Sequence, residues 1–145
     1  MMTHSQENAV QINPYLNFNG NCEAAFKFYE RCLRGKIEAV HTFAGSPMEA
    51  HLPPEHRNKV MHVRLSAAGA VLMGSDAMGD RYSQPKGMAV SLQVEDPAEA
   101  ERLFKELSEK GKVDMPIGET FWALRFAMFT DQFGIPWMIN CERPS

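Results

Sequence analysis

The spacing of apolar residues changes along this chain in a fixed order, and the order occurs twice. From Ile12 to Phe18 it alternates, with Ile12, Leu16 and Phe18 on one face and Asn13, Tyr15 and Asn17 on the other, which predicts a strand. Cys22, Ala25, Phe26, Tyr29 and Leu33 then fall at helical spacing and make one stripe. Gly35-Lys36-Ile37 follows. The same succession returns at Met88. Met88, Val90, Leu92 and Val94 oppose Ala89, Ser91 and Gln93; a helical stripe of Ala100, Leu103, Phe104 and Leu107 comes next, and then Gly111-Lys112-Val113. Asp96 suits a helix cap, Pro97 the first helical position and Glu99 the third position of a capping box. Gly35 and Gly111 suit the left-handed position that ends each helix.

Each copy closes on further strands. Lys59 to Ser66 places Met61, Val63 and Leu65 on one face and His62 and Arg64 on the other. A turn at Ala67-Ala68-Gly69 leads into Ala70 to Gly74; taken as three residues, it sets Leu72 beside Arg64 and Gly74 beside His62. In the last strand Ile135, Trp137 and Ile139 oppose Pro136, Met138 and Asn140. Each sheet thus has an apolar face for its helix and a mixed face for a pocket. Residues 44–58 and 76–86, punctuated by Gly and Pro, read as loops, the second linking the copies. The expected chain is α+β, with two similar modules as pseudo-symmetric halves and the ligand site in the cleft they enclose. Its parts are a flexible leader over residues 1–11, one domain over 12–142 with modules at about 12–76 and 87–142, and a tail over 143–145.

Composition adds exclusions. A chain of 145 residues suits one domain. A formal net charge of −3 gives no footing on nucleic acid or an anionic membrane. No apolar run is long enough to span a bilayer, and the first residues lack the basic-then-apolar order of a secretory signal. Cys22, Cys32 and Cys141 form no C-x-x-C pair, so neither a disulfide framework nor a zinc finger is indicated, and a reducing cytoplasm is the expected compartment.

Particular stretches narrow the reading. They are Asn13-Pro14-Tyr15-Leu16, Gly20-Asn21-Cys22-Glu23-Ala24, Met73-Gly74-Ser75-Asp76-Ala77-Met78, and Glu119-Thr120-Phe121-Trp122-Ala123 with the run from Thr130 to Asn140 behind it. With the Phe28-Tyr29 pair, they resemble the vicinal oxygen chelate superfamily (glyoxalase I, bleomycin-resistance proteins, extradiol dioxygenases), and within it the PhnB-like branch. The resemblance covers Ile12 to Glu142. It implies the glyoxalase/bleomycin-resistance fold, a βαβββ module used twice with curled sheets around a cleft. It also implies a homodimer with the cleft near the subunit boundary. The superfamily's metal enzymes hold a divalent ion with His, Gln or Glu from four strands, and those slots fall here at about Asn13, Leu72, Ala89 and Met138. Leucine and alanine cannot ligate a hard ion, an asparagine oxygen is a weak donor and a thioether a soft one. No metal and no cofactor is therefore expected at that site.

The polar residues of the mixed faces form the candidate site. His62 is the candidate acid or base, because imidazole titrates near neutral pH, and Glu119 is its candidate partner. Arg64 suits a ligand carboxylate or phosphate, or else a local acid. Trp122 suits stacking on a planar or apolar group. Arg125 either meets the ligand or pairs with Glu119. Asn13, Tyr15, Ser91, Gln93 and Asn140 complete the ligand-binding set. His51 and His56 read as exposed loop histidines, and Cys22 as a buried, inert thiol. Three functions stay open. One is a binder of a small organic ligand in an amphipathic cleft, without the divalent metal. Another is a lyase or isomerase acting through His62, metal-assisted or not. The third is a drug-sequestering resistance protein, which the cationic Arg64 and Arg125 disfavour for a cationic drug. The methyl-transfer role suggested by names in the branch finds no glycine-rich loop to hold S-adenosylmethionine.

Overall fold

The protein was described from a computed structural model covering residues 9–144. Residues 1–8 of the expected leader and Ser145 of the tail lie outside the described residues. The first module runs β1 (Tyr15–Phe18), α1 (Cys22–Leu33), β2 (Lys36–Thr42), β3 (Val60–Ala67) and β4 (Ala70–Asp76). The second runs β5 (Val90–Gln93), α2 (Pro97–Leu107), β6 (Lys112–Gly118), β7 (Ala123–Thr130) and β8 (Pro136–Glu142). The sheets have the order β1-β4-β3-β2 and β5-β8-β7-β6. In each, the first strand pairs parallel with the last and the other pairings are antiparallel. This is the twice-used βαβββ arrangement, with both sheets left open. The predicted loops hold only short 3-10 turns at Glu49–His51, Pro54–His56 and Gly79–Arg81.

One face of each sheet carries its helix, and the helices also touch each other. The core follows the predicted stripes, with Ala25, Phe26 and Tyr29 of α1 and Ala100, Leu103 and Leu107 of α2 buried. The first helix lacks a side-chain cap of its own. Asp76, at the far end of β4, supplies one: Oδ1 accepts from the backbone of Gly20 and Cys22, and Oδ2 from Val60. In α2 the cap is local, since Asp96 accepts from the Ala98 N–H. Glu99 does not close a capping box; it binds Arg102 instead.

Several expectations shift by one residue. The β3–β4 turn contains only Ala68 and Gly69, both at positive φ, so Arg64 pairs with Met73 and Leu65 with Leu72. A one-residue slip reverses the faces. Leu72 and Gly74 therefore point to α1, and Val71, Met73 and Ser75 take the open face. A bulge at Met61, seen where His41 pairs with His62 but Thr42 with Val60, exchanges Met61 for Val60 in the core. Ile12 and Met88 precede their strands and are exposed. The left-handed residues after the helices are Arg34 and Lys110 rather than the glycines. Gly35 and Gly111 are required for another reason: a Cβ would sit 2.4 Å from the Ser66 carbonyl oxygen in the first case and 2.2 Å from that of Thr130 in the second.

Candidate functional site

The open face of the first sheet brings together Tyr15 from β1 with His62 and Arg64 from β3. Tyr15 Oη and His62 Nδ1 share a hydrogen bond of 3.1 Å, and the rings stack at 5.7 Å between centroids. Arg64 lies 3.5 Å from Glu38 on the edge strand β2. A hydrogen bond with Ser66, with the Arg64 charge added, holds the Glu38 carboxyl below its usual range. Asn13 is committed to the fold, donating from Nδ2 to the Val71 carbonyl at 3.3 Å.

The open face of the second sheet carries a short polar ladder. Asn140 donates to Gln93 Oε1 and Gln93 donates to Ser91 Oγ, both at 3.1 Å. The Asn140 Oδ1 end is buried and has no hydrogen-bond partner among the described residues. Phe126 is the direct cross-strand neighbour of Asn140, and Trp122 meets Phe126 edge-on at 5.2 Å. Trp122 is half exposed and Phe121 beside it almost fully so. Further along the same face, Ala89, Met128 and Met138 line a cavity of about 450 Å³.

Two expected residues lie elsewhere. Arg125 sits beside Cys141, on the helix side in register with Ala127 and Phe129, and binds Glu101 of α2 at 2.7 Å. Glu119 pairs with Arg143, not with Arg125. No hydrogen bond or ion pair among the described residues joins it to His62. His51 is exposed and His56 half-buried, and both border a cavity of about 440 Å³ beside their loop. Periodicity carries no signal for a cavity roofed by an irregular segment.

The family follows from comparison over nearly the whole chain. Residues 11–139 match the model of the Glyoxalase/Bleomycin resistance protein/Dioxygenase superfamily. The chain belongs to this superfamily. Protein YjdN of Escherichia coli (strain K12) is 34% identical over 139 residues, covering 90% of this chain and 95% of that one. The crystal structure of protein PA1353 from Pseudomonas aeruginosa shares 48% identity and superimposes with a TM-score of 0.82, over 94% of this chain and all of that one. A Bacillus cereus structure described as a putative 3-demethylubiquinone-9 3-methyltransferase, PhnB protein, has the same fold, with a TM-score of 0.77 at 21% identity over 91% and 99% of the two chains.

The superfamily's divalent-ion slots do not fit such an ion here. Asn13 spends its amide on Val71, Leu72 is in the core, and Ala89 has no donor. Met73, which takes the open-face place expected of Leu72, offers a thioether, as does Met138. Among the described residues no three His, Cys, Asp or Glu side chains gather as a metal-holding group.

Proposed function

We propose that this superfamily member binds a small organic ligand on its open sheet faces, without the divalent-metal chemistry of the superfamily's enzymes, in a site completed by a second copy of the chain. The observation that carries this is the Ser91–Gln93–Asn140 ladder, which ends on a buried carbonyl oxygen with no donor, next to Phe126. An unpaired buried acceptor costs free energy that a ligand O–H or N–H recovers. The half-exposed Trp122 offers a flat apolar wall for the rest of that ligand. The homodimer is supported by the bare apolar residues on and beside both open faces, among them Tyr15, Trp122 and Met128. Facing a partner's second module, the Tyr15–His62 pair and Arg64 would close the cleft that one chain leaves open.

Native mass spectrometry of the freshly purified protein tests this. The expected spectrum is a metal-free dimer that retains a small organic mass. A stoichiometric divalent ion would overturn the metal-free reading, and a monomer at micromolar concentration would overturn the shared site.

The Tyr15–His62 hydrogen bond favours a second reading, acid–base catalysis by His62 with Tyr15 rather than Glu119 as its neighbour. For any turnover found, His62→Ala then lowers kcat by about 100-fold. An unchanged rate removes the enzyme reading in this form.

A further inference from the structure

The cavity of about 440 Å³ beside residues 43–58 touches the open face of the first sheet at Ser75 but includes none of Tyr15, His62, Arg64, Ser91, Gln93 and Asn140, and its size suits a small molecule. The bulge in β3 turns Met61 out of the core and into its wall. Met61, Met78 and Leu52 give it apolar walls, and thioether chains adapt their shape readily. His51, His56 and Arg81 give it a basic side. Among the described residues none of these three side chains forms a hydrogen bond or salt bridge. Asp76 also lines the cavity, but both its oxygens are occupied by the backbone N–H groups of Gly20, Cys22 and Val60.

We propose that this cavity is a second ligand site, which takes a small amphipathic carboxylate. Its head binds the Arg81 guanidinium, whose paired donors match a carboxylate, with the imidazoles of His51 and His56 alongside. Its hydrocarbon body lies among Leu52, Met61 and Met78, where it sheds water. A cation is repelled by Arg81, an uncharged hydrocarbon leaves the basic groups unanswered, and a compact anion leaves the apolar walls wet. The site is built from the first module and the segment that follows β4 and shares no residue with the ladder at Asn140, so it stands or falls independently of the ligand there.

The test is a titration of isotope-labelled protein, followed by amide resonances, with octanoate, octanol and acetate at millimolar concentration. Saturable shifts with octanoate over residues 43–61 and 75–81, with Ser91, Gln93 and Asn140 unmoved, are expected. Octanol and acetate bind more weakly, and Arg81→Gln, a surface change, weakens octanoate by about tenfold. Absence of saturable shifts, equal affinity for octanol, indifference to Arg81→Gln, or shifts centred on β5 and β8 would each overturn the proposal.

Discussion

Asp131 accepts four hydrogen bonds at a buried position: the backbone N–H groups of Phe133 and Ile135 on Oδ1, and Tyr29 Oη and Trp137 Nε1 on Oδ2. Burial, with the Asp131 charge added, pushes the Tyr29 phenol well above its ordinary range. Burial also raises the thiols, Cys32 to about 11 and Cys22 further still. All three folded pKa values lie above the unfolded ones. As pH rises, the unfolded chain therefore loses these protons first and binds fewer than the folded chain, so stability falls. The urea midpoint is expected to hold at neutral pH and decline from about pH 8.5, where free thiols begin to ionise, with Tyr29 adding its part from about pH 10. Cys22→Ala should flatten the first part of that slope; an unchanged slope would show that the thiol is not the cause. Gly111 makes a separate claim at this scale. With a backbone oxygen 2.2 Å from where its Cβ would lie, Gly111→Ala is expected to cost about 2 kcal/mol by chemical denaturation.

The elements show what the sequence made legible. Helical stripes survive small errors of placement, and Cys22, Ala25, Phe26 and Tyr29 are buried as their spacing predicts. Strand faces do not survive them. A β3–β4 turn of two residues instead of three moves Leu72 and Gly74 to the helix side, and the Met61 bulge exchanges Met61 for Val60 in the core. Alternation cannot reveal an inserted residue, because both faces of an amphipathic strand next to a bulge carry acceptable side chains. Ser91, Gln93 and Asn140, in regular strands, share one face as their alternation predicts, where they form a hydrogen-bonded ladder. The two-residue turn itself offers a test. Ala68 stands at φ 54 where asparagine is the favoured residue before Gly69. Ala68→Asn is expected to stabilise the protein by about 0.5–1 kcal/mol, read as a higher denaturation midpoint; a loss would mean the turn is not the two-residue kind.

At the scale of the molecule, the modules are joined by side chains rather than by a shared sheet. Phe28 and Tyr29 of α1 pack on Phe133, and Tyr29 also on Trp137. Arg102 of α2 donates to the Cys32 carbonyl of α1. Through these contacts the two halves should unfold together. One calorimetric transition is expected, and Tyr29→Phe, which removes a hydrogen bond to a buried carboxylate, should lower stability by about 2 kcal/mol while leaving a single transition. Two resolved transitions in the unaltered protein would contradict this coupling.

The aromatic join has a consequence for how the chain can be handled. Residues 83–87 contribute to no helix or strand, and the peptide between the modules is expected to matter less to their union than Tyr29 and Trp137 do. A protease nick there, or synthesis of the halves as separate polypeptides, should leave a non-covalent pair that elutes as one particle. The continuous chain would then act mainly as a tether, raising the local concentration of two partners that already recognise each other.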